Sequence, residues 1–174
     1  PYLVSDSQVA VFGRDELTAR QVWSAGEGYP GHVAYREFHR KDPVSGLRFW
    51  RVTGPYVELQ DKAVYDQRQA FDDVSLHADH FVDLLEQRLE EASSAATPMP
   101  VVTAPYDTEL FGHWWFEGIE WIRQVLRRLS NHPDIQLVTP ADYLDRYPPA
   151  EKIALAESSW GAGGDARTWS NDQT

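Results

Sequence analysis

Met99-Pro100-Val101-Val102-Thr103-Ala104-Pro105-Tyr106-Asp107 is a short apolar run broken by a proline and delivered onto a carboxylate. A run of this kind, bounded by turn formers, has the signature of a buried strand. On its N-terminal side, residues 66–92 repeat with a helical period: Val74, Phe81, Leu84, Leu85 and Leu89 share a face, while Asp73, Asp83, Glu86, Gln87 and Glu90 lie largely off it. On its C-terminal side a second helix, residues 113–129, gathers Trp115, Ile119, Ile122, Leu126 and Leu129 on its apolar face. Ile135-Gln136-Leu137-Val138 reads as the next strand. Thr139-Pro140-Ala141-Asp142 is a helix start, with Thr as N-cap, Pro at the first helical position and a carboxylate in the first turn. That helix stops before Pro148-Pro149, and Ile153-Ala154-Leu155-Ala156 is a further strand, as is Val9-Ala10-Val11-Phe12 near the start. The order β-α-β-α-β, with no two-residue hairpin signal, predicts an α/β fold whose parallel sheet is covered by helices. In such folds sites are built at the carboxyl ends of strands, and Asp107 falls at one.

Composition removes several classes of function. The 174 residues carry 16 Lys+Arg against 27 Asp+Glu, a formal charge of −11, so no basic stripe is available to neutralise phosphates and nucleic acid is excluded as a partner. With no cysteine there is no disulfide, thiolate-zinc site or cysteine nucleophile. No apolar run approaches the roughly 20 residues of a membrane span, and the N-terminus lacks signal-peptide features, so the expectation is a cytoplasmic protein without a membrane partner. The chain opens at Pro1 and reads as a piece of something longer. Aromatic residues make up 13%, with seven Trp, eight Tyr and seven Phe, many in Gly- and Pro-rich stretches.

Between the early strand and the long helix, turn chemistry dominates. Gly26, Gly28, Pro30, Gly31, Pro43, Gly46, Gly54 and Pro55 predict loop over most of residues 25–60. Within it a short helix is expected at residues 34–40, preceded by an extended piece at residues 20–24. Tyr29, Tyr35, Phe38, Phe49, Trp50 and Tyr56 favour an ordered loop, and long ordered loops are usually functional.

Asp107 stands between Tyr106 and Thr108 and precedes Glu109, Phe111, Gly112, His113, Trp114 and Trp115. A carboxylate flanked by aromatic rings suits a glycosidase acid: apolar walls disfavour its charged form, and rings stack on sugar faces. Capping of the following helix by Asp107 or Glu109 fits the same spacing. His77 and His80, three apart around Asp79, have the spacing of a metal pair but no third ligand, so a packing or helix-surface role is expected. The acids from Asp83 to Glu91 read as a solvated helix face.

The fifteen residues Ala104-Pro105-Tyr106-Asp107-Thr108-Glu109-Leu110-Phe111-Gly112-His113-Trp114-Trp115-Phe116-Glu117-Gly118 resemble the fourth motif of glycoside hydrolase family 57, in the form found in its 1,4-α-glucan branching enzymes. Val22-Trp23-Ser24, Gly28-Tyr29-Pro30-Gly31, Tyr35-Arg36-Glu37-Phe38, Trp50-Arg51-Val52-Thr53-Gly54 and Glu157-Ser158-Ser159-Trp160-Gly161, with Gly163-Gly164-Asp165 and Trp169, resemble further stretches of the same subfamily. The resemblance implies part of a (β/α)7 barrel, with residues 1–174 as its C-terminal half and a helical domain following. It implies that Asp107 is the general acid/base of a retaining double displacement. It also implies that Trp23, Trp160 and Trp169 line a glucan cleft, with Arg14, Gly31 and His113 as further contacts. Trp114, Trp115 and Trp121, which open a helix with an apolar face, are read as core.

The nucleophilic Glu of such a family sits in a Trp-Leu-Pro-Glu type motif that does not occur in this sequence, so it is expected upstream of residue 1. Glu27 is then a loop residue and Glu109 a structural neighbour of Asp107. No metal and no cofactor are implied. The implied partners are an α-glucan donor and acceptor and the remainder of the parent chain. Two rivals remain: an α-amylase or 4-α-glucanotransferase with the same carboxylates, and a non-catalytic glucan-binding module in which Asp107 is a cap.

Overall fold

The structure, a computed structural model, describes residues 1–54, 56–93, 99–159, 164, 165, 167 and 170. It divides into two units, residues 14–140 and residues 1–13 with 141–174.

The larger unit is built on three helices: α1 (Glu16–Trp23), α2 (Gln67–Ser93) and α3 (Gly118–Ser130). The period expected of residues 66–92 is realised in α2, where Ala70, Val74, Ala78, Phe81, Leu84 and Leu85 are buried. Asp66 starts it, its Oδ1 accepting from the Arg68 and Gln69 amides at 2.9 and 3.2 Å and so satisfying two of the first-turn donors. Against this face α3 sets Trp121, Val125 and Leu129. The seam is tied by Arg128, whose Nε donates to Asp79 Oδ1 at 2.5 Å and whose Nη2 donates to Ser75 Oγ at 2.9 Å. Rings fill the core: Trp115 and Trp121 lie 5.3 Å apart and Phe81 meets Trp121 edge-on at 4.9 Å. Burying each such ring contributes about 1.5–3 kcal/mol, which makes this seam the main source of stability.

Four local expectations change. Residues 20–23 are helical, not extended, because Asp15 N-caps α1 by accepting from the Thr18 amide at 2.9 Å. Residues 34–40 are not a helix. Their backbone bonds across to residues 50–52, with Glu37 N donating to Trp50 O at 2.9 Å and Val52 N to Tyr35 O at 2.8 Å. The helix expected at residue 113 begins at Gly118, after a turn in which Gly112 takes φ +88° and its amide donates to Trp115 O at 2.8 Å. Residues 99–104 and 135–138 form no ladder among the described residues, so the two apolar runs are not strands here.

The smaller unit carries a three-stranded sheet, order β2-β1-β3, from β1 (Tyr2–Val4), β2 (Ala10–Val11) and β3 (Lys152–Ile153). β1 runs parallel to β3, in register Leu3↔Lys152, but antiparallel to β2, in register Tyr2↔Val11. The sheet is mixed where an all-parallel one was expected. The reversal uses Asp6 at φ +60°, a left-handed position that Asp tolerates better than most residues, with Ser7 Oγ donating to Val4 O at 3.0 Å. α4 (Pro140–Arg146) begins at the proline and ends before Pro148, as expected, and places Tyr143 6.0 Å from Phe12. Among the described residues no helix is long and apolar enough to cross a membrane.

Candidate active site

The stretch from Ala104 to Gly118 sorts its residues by direction. Tyr106 packs on the core and meets Phe111 edge-on at 5.9 Å, while Leu110 and Trp115 are buried. Asp107, Glu109, His113 and Trp114 face outward. Asp107 has extended backbone (φ −69°, ψ 131°), which sends neighbouring side chains to opposite sides, and it precedes the 3₁₀ turn Thr108–Leu110. Its backbone oxygen accepts from Leu110 N at 3.1 Å, but its carboxylate makes no capping bond. Glu109 is engaged by the Trp114 indole, Nε1 to Oε1 at 3.3 Å.

The segment leading to Asp107 is fastened to α1: the Asp15 amide donates to Thr103 O at 2.9 Å. Asp15 is in turn gripped by Arg88 of α2, Nε to Oδ2 at 2.9 Å. Burial alone would raise the Asp15 carboxyl, but the Thr18 amide and the Arg88 guanidinium outweigh it and hold it below its ordinary value. Arg14, beside this anchor, is exposed, and Trp23 ends α1 at 40% exposure. Neither is used in the core.

Gly31 has a packing reason for being glycine. A Cβ there would lie 1.8 Å from the Ala25 carbonyl oxygen, because the Tyr29–Gly31 3₁₀ turn folds back on the chain leaving α1. Tyr29 from this turn stacks on His77 at 4.7 Å, and its hydroxyl is 2.7 Å from His80 Nδ1. The Tyr35 hydroxyl bonds His77 Nδ1 at 2.6 Å. Burial, with His32 and His80 nearby, pushes His77 down to about 4, so the imidazole is neutral. The histidine pair is thus occupied by tyrosine hydroxyls, in the packing role expected of it.

Several residues that matter here carried no signal in the sequence. Glu117, last but one in the matched stretch, is fully buried. Its Oε1 accepts from the Arg36 amide at 3.1 Å. Tyr65 lies close enough to influence it, yet neither its hydroxyl nor Glu117 Oε2 closes a hydrogen bond. Burial, only partly offset by these neighbours, raises the carboxyl above its usual range. Glu37 is paired with Lys62 at 2.8 Å in a site almost closed to solvent, and Lys62 Nζ also reaches Val52 O at 2.6 Å. The Lys62 bonds hold residues 33–65 together, and the Arg36–Glu117 bond ties them to the stretch that carries His113 and Trp114.

That turn and residues 36–48 enclose a cleft of about 160 Å³ lined by Arg36, Phe38, Arg48, His113, Trp114 and Phe116. His113, expected near the active site, lines this cleft. Trp115 and Trp121 are core as expected, at 2% and 1% exposure, whereas Trp114, read as core, is 42% exposed with its ring 4.5 Å from that of Phe38. Trp160 and Trp169 lie outside the described residues. Among those described, no group of three or more His, Asp or Glu side chains could hold a metal ion.

A family model described as glycosyl hydrolase family 57 matches residues 1–156. A 1,4-alpha-glucan branching enzyme of Thermococcus kodakarensis is 46% identical over 175 residues, covering 100% of this chain and 26% of its own length. A probable 1,4-alpha-glucan branching enzyme of Mycobacterium tuberculosis is 42% identical, covering 96% of this chain and 32% of its own. The crystal structure of the Thermococcus enzyme, in complex with glucose and additives, superposes with a TM-score of 0.91 over 99% of this chain and 31% of that one. An alpha-amylase, AmyC of Thermotoga maritima, is 33% identical with a TM-score of 0.81, covering 92% of this chain and 35% of its own. The chain therefore spans about a quarter to a third of the length of its curated relatives.

Proposed function

The chain belongs to glycosyl hydrolase family 57, and from that membership we propose that it is the C-terminal half of a branching enzyme's catalytic (β/α)7 barrel. The parent protein would cleave an α-1,4 bond in a glucan in the cytoplasm, hold the released segment covalently, and pass it to a glucose 6-hydroxyl as an α-1,6 branch, as in glycogen biosynthesis. The nucleophilic carboxylate comes from a part of the parent chain outside these 174 residues. Residues 99–104 and 135–138 then find their sheet partners in that part.

Asp107 is the general acid/base of this retaining double displacement. It first protonates the leaving 4-oxygen and later takes the proton of the incoming 6-hydroxyl, so one residue serves both half-reactions. The single observation that carries the assignment is that Asp107 is exposed and caps nothing, while its neighbours in the same stretch are anchored in the core. A carboxylate held in place without structural employment is free for chemistry. Trp23, Trp160 and Trp169 stack on glucan rings, with Arg14, Gly31 and His113 beside them. For Gly31 the contact is through backbone, since no side chain fits there.

Branching is preferred to hydrolysis or 4-α-glucanotransfer because the relatives named as branching enzymes are the more similar, 46% and 42% identical against 33% for the amylase. Incubating the full-length protein with amylose and following anomeric signals by NMR tests this. New α-1,6 signals are expected; reducing ends without branches would favour the amylase reading.

A further inference from the structure

The cleft beside His113 has a charge arrangement that a neutral glucan does not call for. The Arg36 guanidinium lies 3.5 Å over the Phe116 ring and that of Arg48 lies 5.1 Å from the Phe38 ring. Arg48 Nε donates to Phe38 O at 2.7 Å, which fixes the plane of its fork, and among the described residues its two terminal nitrogens have no hydrogen-bond partner. Among the described residues neither guanidinium is ion-paired, whereas Arg88, Arg123, Arg128 and Arg167 each are. Arg36 and Arg48 line one cleft closely enough to repel each other, and the buried Glu117 offsets that repulsion only at Arg36.

Of the nearby acids two are committed elsewhere, and the third is held on the Arg36 backbone. Glu37 is neutralised by Lys62, Glu109 accepts from Trp114 Nε1, and Glu117 is buried behind Arg36 with Oε1 on its amide. Aromatic faces hold both cations in place, so their N–H edges are organised before any ligand arrives. His113, 5.6 Å from Phe38 and 5.1 Å from Trp114, adds a polar ring at the rim. At about 160 Å³ the cleft is smaller than the roughly 300–1,000 Å³ of pockets that enclose a whole drug-sized ligand, so it takes a compact group.

We propose that Arg36 and Arg48, with His113 at the rim, form a binding site for a phosphate monoester, and that the exposed Trp114 ring receives the sugar that carries it. Guanidinium forks match phosphate oxygens in pairs, which a neutral hydroxyl cannot exploit. The ligand class is a hexose phosphate, and inorganic phosphate is the other source of the same oxyanion. The site rests on this cleft alone and not on the branching reading.

The test is calorimetric titration of the full-length protein with glucose 6-phosphate, inorganic phosphate and glucose. Glucose 6-phosphate is expected to bind and glucose not to, with affinity falling as salt is raised. Arg48→Gln and Arg36→Gln should each weaken phosphate binding about tenfold or more, the loss expected of a charge-assisted contact. Arg48 is exposed, so its variant does not threaten the fold. Tighter binding of glucose 6-phosphate than of inorganic phosphate, lost in Trp114→Ala, supports the whole proposal. Equal binding of the two supports the oxyanion site and overturns the sugar platform. Wild-type affinity in both arginine variants, or equal binding of glucose, overturns the site. Asp107→Asn should keep phosphate affinity whatever it does to branching, which separates the failure of one proposal from that of the other.

Discussion

Replacing Asp107 by Ala separates a catalytic carboxylate from a structural one. If the side chain capped the following turn, its loss would cost about 1 kcal/mol of stability, the usual value for an N-cap. In the structure the carboxylate makes no capping bond and is exposed, so the change should stay within about 0.5 kcal/mol. The rate is another matter. A positioned general acid/base contributes about 10²–10⁴-fold, or roughly 3–5.5 kcal/mol of barrier, and the branching rate of the full-length variant should fall by that factor. Two assays on one preparation decide it: initial rates of α-1,6 bond formation on amylose, and urea unfolding. A further discriminator is the leaving group. A glucosyl fluoride donor leaves without protonation, so formation of the glycosyl-enzyme should be largely spared while its transfer is slowed. A rate lowered less than tenfold, or a loss of activity that tracks a stability loss of 1 kcal/mol or more, would refute the acid/base assignment.

Two predictions concern the scaffold. Gly31→Ala places a methyl 1.8 Å from the Ala25 carbonyl oxygen, and backbone cannot yield as a flexible side chain does; about 3 kcal/mol of destabilisation is expected in urea unfolding of the full-length protein. Gly46→Ala, with φ +72° but nothing within 4 Å, should cost only about 1–2 kcal/mol, and equal costs at the two positions would contradict the close approach. His77 takes up its proton near 6.5 in the unfolded chain and near 4 in the fold, so its contribution is full above pH 6.5 and is lost as pH falls toward 4, by at most about 3 kcal/mol. Glu117, raised by burial, acts with the opposite sign, so the measurement is the difference between wild type and His77→Gln across pH 4–7. A difference independent of pH would contradict a buried, neutral imidazole.

The long helix was legible because 27 residues repeat one period, and an amphipathic signal of that length outweighs local ambiguity. α1 was not, since in eight residues the decisive feature is one bond, from the Thr18 amide to Asp15. Residues 34–40 misled for a different reason: the partners of their backbone lie at residues 50–52 and the partner of Glu37 is Lys62, contacts that no local window contains. The runs at residues 99–104 and 135–138 have strand composition, but a ladder needs a neighbour, and composition does not supply one. Asp107 could be singled out because the fifteen contiguous residues around it resemble a family motif, whereas its aromatic company alone fitted a helix cap equally well. Arg36 and Arg48 could not, because they meet His113 only through folding, across more than sixty residues.

The division of the Ala104–Gly118 stretch explains why so long a run is needed to present one carboxylate. Tyr106, Leu110, Phe111, Trp115 and Glu117 each tie it to the core or to residues 33–65, and these ties alternate with the outward side chains Asp107, Glu109, His113 and Trp114. An acid/base must sit within a fraction of an ångström of its working position to transfer a proton efficiently, and a loop fixed only at its ends would not hold it there. Gly112 makes the arrangement close: its left-handed φ lets the chain double back so that Leu110 and Trp115 reach the core from opposite arms of one turn. A side chain there would also press on Ile119 of α3, 2.6 Å from its Cδ1. On the proposed reading the residues that do chemistry are few, and most of the stretch is occupied in denying them movement.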